Sequence, residues 1–236
     1  MRVAIVLYGQ PRNFQEGYRN IQMLCQRNQG CKFEFYYHCW ILPHGKSFQT
    51  SPWRKIDPSH LIYQDDTKIK LEGLYHPVLC EYTDQSTIVH SAPSEYTFVN
   101  NDKNILDQMY SRAKARNLLI ESGRTYDRII MTRFDINTPI HLDILSSDDS
   151  VYVQSYHLPR KIFADHTCMS TQEVFYVWFD LYDRIFDFQK DDKLKDLVES
   201  YHEHISINAE ELIFASYLFH FKSLDRIKYF NGGYSQ

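Results

Sequence analysis

The sequence predicts an α/β fold, in which a mostly parallel sheet is covered by helices on both faces, and two observations support it. Arg2–Tyr8 and Tyr126–Thr132 are apolar runs without period-two alternation, as expected of strands that are buried on both faces. Helical segments lie between the strands, the clearest being Phe14–Arg27 and Asn104–Glu121. Strands that alternate with helices are typical of a three-layer sandwich with a parallel sheet.

Four further strands and two further helices are predicted with less periodicity. The strands are Lys32–Trp40, Leu61–Gln64, Val78–Tyr82 and Val151–Ser155, and the helices are Thr171–Phe188 and Ala209–Phe221. In the helix over Asn104–Glu121, the spacing places Leu106, Tyr110, Ala113 and Ile120 on one face, which we expect to be buried.

Composition and length favour one globular domain over residues 1–236. The chain is 43% hydrophobic and 24% charged, with 18 Tyr and 15 Phe, and neither a repeat nor a linker is evident. A chain of this length can bury about 70% of its unfolded surface in a single core. It therefore needs no disulfides or structural metal to fold.

Charge and cysteine usage exclude several classes of protein. A net charge of −4 without a basic stripe argues against a nucleic-acid partner. The five cysteines are odd in number and lack CxxC spacing, so neither a disulfide framework nor a zinc site is indicated. The apolar run at the start is too short for a signal segment or a membrane span. We therefore predict a cytoplasmic protein without a membrane span.

Polar segments follow three of the predicted strands. They are Gly9-Gln10-Pro11-Arg12, His38, and Arg133-Phe134-Asp135. Because open parallel sheets bind ligands outside the carboxyl ends of their strands, the sequence predicts a binding site where these segments converge.

Gly9 and Arg12 suit a diphosphate ligand. Glycine lets the backbone approach a ligand closely, and an arginine can pair with a diphosphate in bidentate fashion. The alternative is an ordinary Gly-Pro turn with a surface arginine. The segment is neither a GxGxxG fingerprint nor a Walker loop, so dinucleotide-binding and P-loop proteins are not indicated.

Asp135 is the sharper candidate. A carboxylate directly after a buried strand can hold Mg²⁺ or Mn²⁺ against substrate phosphates, since these cations take their remaining ligands from phosphate and water. Arg133 either binds the same diphosphate or simply pairs with Asp135. The alternative is a salt-bridged strand end without a ligand.

These segments resemble those of GT-A glycosyltransferases. The resemblance lies in the opening YGQPR, the strand end His38-Cys39-Trp40, Gln108-x-x-Ser111, the "ARN" of residues 115–117, and the strand YDRIIMTRFD. Together they are similar to a viral and bacterial branch in which an R-x-D motif replaces the metal-binding DxD. Arg133 stands where the first Asp of that motif would be.

The resemblance implies a GT-A fold, a nucleoside-diphosphate sugar as donor and Mn²⁺ or Mg²⁺ as cofactor, with Asp135 as the metal ligand. The donor-binding residues that it implies are Gly9, Gln10, Arg12, Arg116, Asn117, Arg133 and Asp135.

The catalytic base is left open between three carboxylates. Asn208-Ala209-Glu210-Glu211 resembles the segment at the start of a late helix that carries the base in inverting members of the family. Glu211 also fits a capping box with Asn208, which makes Glu210 the less constrained of the two. Asp165 follows a short apolar stretch and either faces the sugar or acceptor or forms an Asx-turn.

The leading hypothesis is therefore a hexosyl- or pentosyltransferase that moves a sugar from a nucleotide donor to a glycan or other hydroxyl acceptor. One alternative is a carbohydrate-binding or scaffold protein on a degenerate fold. The other is a sugar nucleotidyltransferase, although the GQPR segment lacks the glycines and lysine that hold a triphosphate.

Overall fold

A computed structural model describes residues 1–48, 57–90, 102–137, 139–155, 166–201 and 209–231. Within these ranges the strands are β1 Arg2–Gly9, β2 Lys32–Ile41, β3 Leu79–Asp84, β4 Arg128–Arg133, β5 Val151–Ser155, β6 Cys168–Ser170 and β7 Ile227–Asn231. The helices are α1 Phe14–Arg27, α2 Thr67–Tyr75, α3 Asp102–Glu121, α4 Gln172–Trp178, α5 Leu181–Lys190, α6 Asp192–Glu199 and α7 Ala209–Phe221. None of the described helices is both long enough and apolar enough to cross a membrane.

The described strands form one sheet in the order β3-β2-β1-β4-β6-β5-β7. The pairs β1–β2, β1–β4, β2–β3 and β5–β7 are parallel, whereas β6 is antiparallel to both β4 and β5. The predicted mostly parallel sheet is confirmed.

Two apolar layers cover the sheet, one on each face. In β1, Val3 and Leu7 belong to the layer that includes residues of α1 and α2, whereas Ala4 and Val6 belong to the layer of α3 and α4 through α7. All four side chains are fully buried. The uninterrupted apolar run of β1 is thus explained by helices on both sides, and the three-layer α/β/α sandwich is confirmed.

The predicted strand over Leu61–Gln64 is wrong. Pro58–Leu61 forms a 3-10 helix, in which the side chain of Asp57 accepts from the backbone N–H of Ser59. Ile62 makes only an isolated antiparallel bridge to Ser47. A proline and an Asx-type cap favour a turn here over the extended backbone that the apolar residues suggest.

The single helix predicted over Thr171–Phe188 is two helices, α4 and α5. The Trp178 carbonyl, at the break, accepts from Ser216 Oγ on α7 at 2.8 Å, and Trp178 Nε1 donates to the Ile213 carbonyl at 3.0 Å. The bond from Ser216 satisfies the last carbonyl of α4, and the indole bond fixes the Trp178 side chain against α7. The two helices have similar apolar periodicity, so the break is not visible in the pattern.

The buried face of α3 also differs from the prediction. Ile120 is 42% exposed, whereas Arg112, which a hydrophobic pattern counts as polar, is 4% exposed. The buried row runs through Ile105, Met109, Arg112 and Leu119 at helical spacing. Leu106 of the predicted face is also buried, at 3% exposed, so the predicted and observed faces overlap in part.

Helix α1 lies directly against the end of β4 at Gly17. A Cβ built on Gly17 would lie 1.8 Å from the carbonyl oxygen of Phe134, which is backbone and has little freedom to move. Gly73 in α2 has no atom within 4 Å of the same position. The contact at Gly17 holds α1 against the residues just before Asp135.

We predict that Gly17→Ala destabilises the protein by about 1–3 kcal/mol, because the added methyl must push α1 away from the strand end. The matched control Gly73→Ala should stabilise it by up to about 1 kcal/mol, since alanine restricts the unfolded chain and meets no neighbour. Urea unfolding of both variants measures the difference. Equal effects of the two substitutions would contradict the proposed close packing.

Candidate functional site

The strand order reverses at β1 and β4, whose carboxyl ends lie side by side. From β1 the chain proceeds to β2 and β3 on one side, and then returns to β4 on the other side of β1. Such a reversal of strand order separates the loops that follow the two central strands, and ligands of open α/β sheets bind there. The segments after β1 and β4 are Gly9–Arg12 and Phe134–Asp135.

Three side chains from these segments form a compact cluster, which we call the arginine clamp: Arg12, Arg133 and Asp135. Arg133 grips Asp135 with two hydrogen bonds, from Nε to Oδ1 and from Nη2 to Oδ2, both 2.7 Å long. Arg12 Nη2 donates to Oδ2 of the same carboxylate at 3.0 Å, from 123 residues away in sequence. The three side chains are only 9–10% exposed.

Phe134 anchors the turn that carries Asp135. Its ring is fully buried and lies edge-on to Tyr37 and Tyr75, with centroids 5.4 and 5.9 Å away. Because Phe134 is fixed in this aromatic layer, the next residue, Asp135, has little freedom to move. The clamp is therefore held by packing as well as by charge.

Gly9 closes β1 with a backbone angle that favours glycine, at φ 100°. Its N–H donates to Ser111 Oγ at 2.8 Å, and no atom lies within 4 Å of where a Cβ would stand. Ser111 Oγ also bonds His38 Nδ1 at 2.7 Å, and His38 Nε2 bonds Thr83 Oγ1 at 2.9 Å. This chain of bonds ties the loop after β1 to β2, β3 and α3.

His38 is a neutral structural residue in this arrangement. It is completely buried, and burial, assisted by the nearby charge of Lys114, lowers the pKa of His38 to about 3. A histidine with this pKa is uncharged at neutral pH, so one ring nitrogen donates a hydrogen bond and the other accepts one. Its two ring nitrogens hold Ser111 and Thr83 in place.

Gln10 begins a second chain of polar contacts. Gln10 Nε2 donates to Gln85 Oε1 at 2.9 Å, and Gln85 Nε2 donates to Asp107 Oδ2 at 2.7 Å. His90 and Lys103 also contact the Asp107 carboxylate. Burial raises the pKa of Asp107, but the hydrogen bonds from these neighbours outweigh it, and the net shift is downward. Asp107 is thus a buried, ionised anchor for Gln10.

Arg116 and Asn117 lie apart from the clamp. Arg116 donates from Nε and Nη2 to the Tyr176 carbonyl in α4, at 3.0 and 2.6 Å, and from Nη1 to Asn117 Oδ1 at 3.2 Å. A guanidinium near the last turn of a helix satisfies one of its carbonyls. The donor-binding role implied for these two residues stays a prediction.

The three candidate bases are not placed. Asp165 lies outside the described residues. Glu210 and Glu211 belong to the first turn of α7, but their side chains lie outside the described part of the structure.

The side chains around Asp135 do not match a divalent-cation site. Both carboxylate oxygens already accept hydrogen bonds from guanidinium groups. Within the described ranges, no three His, Cys, Asp or Glu side chains are grouped so that they could hold a metal ion. Mg²⁺ and Mn²⁺ prefer oxygen ligands that are not shared with another cation.

Several residues of the site were not among the sequence candidates for binding or catalysis, including Arg112, Thr83 and Asp107, and Ser111 was named only within the Gln108-x-x-Ser111 motif. Arg112 packs over the Tyr8 ring, 4.3 Å from its centroid, and also donates to the Tyr8 hydroxyl. Asp107 and Ser111 are one helical turn apart on α3 and are both buried. Polar residues at that spacing are equally common on exposed helix faces, so the sequence holds no signal for their burial.

A surface hollow of about 670 Å³ lies elsewhere, near the start of β2. It is lined by Arg27, Asn28, His141, Leu142, Asp143, Leu145 and Ser146. It is open to solvent and lies far from the carboxyl ends of the strands, so we place the functional site at the clamp on chemical grounds.

Comparison with known proteins finds likeness at the level of solved structures. The chain aligns over 97% of its length with the galactosyltransferase LgtC in complex with donor and acceptor sugar analogues, covering 73% of that chain at 10% identity and a TM-score of 0.46. A Q189E active-site mutant of LgtC aligns with 10% identity, 72% coverage of that chain and a TM-score of 0.44.

A third solved structure is the apo form of the glycosyltransferase GlyE from Streptococcus pneumoniae TIGR4, with 14% identity and a TM-score of 0.36. The alignment spans 97% of this chain and 44% of that one. No family model and no curated protein matches the sequence. The function of this chain therefore has to be argued from its own residues.

We predict that His38 makes the protein acid-sensitive. The folded pKa of about 3 lies below the ordinary value of 6.5, so between these values the unfolded chain binds a proton that the folded chain does not. The contribution of His38 to the free energy of unfolding is therefore fully present above about pH 6.5. Below that pH it falls by up to about 1.4 kcal/mol per pH unit.

The measurement is the free energy of unfolding in urea at pH 7, 6 and 5, for the wild type and for His38→Gln. The difference between the two proteins should shrink as the pH falls, since only the wild type takes up this proton on unfolding. A difference that does not change with pH would contradict the buried neutral histidine.

Proposed function

We propose that this protein is a glycosyltransferase that uses a nucleoside-diphosphate sugar as donor and a glycan or other hydroxyl compound as acceptor. The observation that carries the proposal is the bond from Arg12 to Asp135 at the switch point of the sheet. It joins the loop after β1 to the strand end after β4, and so supports the convergence that the sequence predicts.

The clamp has the charge that a diphosphate leaving group requires. The clamp places two guanidinium groups around one carboxylate in a nearly buried site. Positive charge fixed before the reaction stabilises the negative charge that develops on a departing diphosphate. Arginine also matches the geometry of phosphate oxygens with paired N–H donors.

In the proposed reaction, the acceptor hydroxyl oxygen forms a bond to the anomeric carbon of the donor sugar. The bond from that carbon to the diphosphate oxygen breaks, and the nucleoside diphosphate leaves with the electron pair. A carboxylate removes the hydroxyl proton. Asp165, Glu210 and Glu211 remain our candidates for that base.

Gly9 and Gln10 would shape the donor side of the crevice. The open space beside Gly9 lets a ligand approach the backbone, and its N–H is already fixed by Ser111. Gln10 is held by Gln85. A loop whose positions are set in advance loses little freedom when it binds a ligand.

Mn²⁺ or Mg²⁺ dependence through Asp135 stays a prediction, and the bonding of Asp135 to two arginines argues against it. Hexosyl versus pentosyl transfer and a cytoplasmic location also stay predictions. The donor-binding roles of Arg116 and Asn117 are tested by their alanine variants beside those of the clamp.

The test is a panel of UDP-, GDP- and dTDP-sugars, supplied with Mn²⁺, with donor binding followed by calorimetry and donor hydrolysis by release of the nucleoside diphosphate. We expect one donor class to bind and to be hydrolysed slowly. Arg12→Ala and Asp135→Ala should each lower turnover at least about tenfold, because each removes charge-assisted bonds from the clamp.

The matched control is Arg128→Ala. Arg128 begins β4 at the opposite end from the clamp, is 8% exposed and donates to the carbonyls of Ser147 and Asp148. Its loss should reduce stability without changing donor binding. Failure of every donor to bind the wild type would refute the proposal and favour the carbohydrate-binding alternative.

A further inference from the structure

We propose that the arginine clamp binds the diphosphate without a divalent cation, with the guanidinium groups of Arg12 and Arg133 in the place of the metal. The inference rests on the proposed function and adds to it the chemistry of donor recognition. In this scheme Asp135 is a positioning residue that holds two arginines toward the donor.

The bonding of Asp135 is the first argument. Oδ1 accepts from Arg133 Nε, and Oδ2 accepts from both Arg133 Nη2 and Arg12 Nη2. A bound Mg²⁺ or Mn²⁺ ion would lie about 2.1 Å from one of these oxygens. It would then lie close to nitrogens that are 2.7–3.0 Å from the same oxygen and carry the same sign of charge.

Burial makes this conflict severe. The side chains of Arg12, Arg133 and Asp135 are 9–10% exposed, so water screens their charges poorly. To bind a cation, Asp135 would have to release at least one guanidinium, which would lose a charge-assisted bond within the site. Both carboxylate oxygens of Asp135 are therefore used in bonds to the arginines.

The balance of charge is the second argument. A metal site with a pair of carboxylates carries two negative charges until the metal binds and supplies positive charge. Here the clamp sets two guanidinium groups against one carboxylate, so cationic groups are in place with no added ion. The guanidinium groups also offer directed N–H donors, which a phosphate oxygen can use as it would use a cation.

The position of the two arginines is the third argument. Arg133 is the last residue of β4 and pairs in register with Tyr8 of β1, and Arg12 follows three residues after the end of β1. The two guanidinium groups thus meet on one oxygen of Asp135 at the switch point, where a diphosphate would lie.

The experiment measures binding of UDP, GDP and dTDP by calorimetry, once in EDTA and once in Mn²⁺. The affinity for the preferred nucleotide should agree within about twofold between the two buffers. Arg133→Ala and Arg12→Ala should each weaken it by about tenfold or more in both, which matches the loss of a hydrogen bond to a charged group. Arg133→Lys should retain only part of the nucleotide affinity, since lysine keeps the charge but lacks the paired N–H donors of a guanidinium group.

Asp135→Asn separates the two roles of this carboxylate. As a positioning residue, it should change nucleotide affinity by the same factor in EDTA and in Mn²⁺. As a metal ligand, it would change affinity in Mn²⁺ only. Electron paramagnetic resonance of added Mn²⁺, with no nucleotide present, should show no more bound ion for the wild type than for Asp135→Asn.

Thermal melting of each variant, with Arg128→Ala as the control for a lost buried arginine, shows whether a weak binder is folded. Binding that requires Mn²⁺ and is abolished by Asp135→Asn would overturn the metal-free clamp and leave the proposed function standing. If no nucleotide binds in either buffer, the proposed function itself fails and the clamp fails with it.

Discussion

The pairing of one buried carboxylate with two arginines is the constraint on which the site depends. Asp135 joins Arg133 on its own strand end to Arg12 on the neighbouring loop, across the point where the strand order reverses. Removing the carboxylate would leave two like charges facing each other in a nearly dry environment, which is unfavourable. The clamp therefore fixes the crevice as well as supplying its charge.

Packing and hydrogen bonds from the surrounding structure fix the two segments that carry Arg12 and Asp135. Phe134 is locked among aromatic rings on one side of the sheet, and Gly17 lets α1 approach its carbonyl. On the other side, Ser111 holds the N–H of Gly9 and is itself held by His38. Residues from both helical layers thus contribute to one site. The loop after β1 and the turn after β4 are each held in place by contacts from other elements.

The sequence was sufficient for the layers and for the convergence of the polar segments. Continuous apolar strands such as β1 can be recognised because a strand covered on both faces has no polar alternation. The break between α4 and α5 was not predictable, since the bonds of Trp178 to α7 are tertiary. The buried polar residues were not predicted for the same reason. In the sequence, Arg112 and Asp107 are indistinguishable from surface residues until their partners are known.

The R-x-D segment shows why spacing alone left its chemistry open. Residues two apart at a strand end have side chains on the same side, so two aspartates at that spacing would share a cation. When the first is an arginine, the same geometry produces an internal ion pair, as Arg133 and Asp135 form. Local sequence can thus predict the pair, but the second guanidinium comes from Arg12 on a parallel neighbour. That long-range bond adds a second guanidinium to the local ion pair.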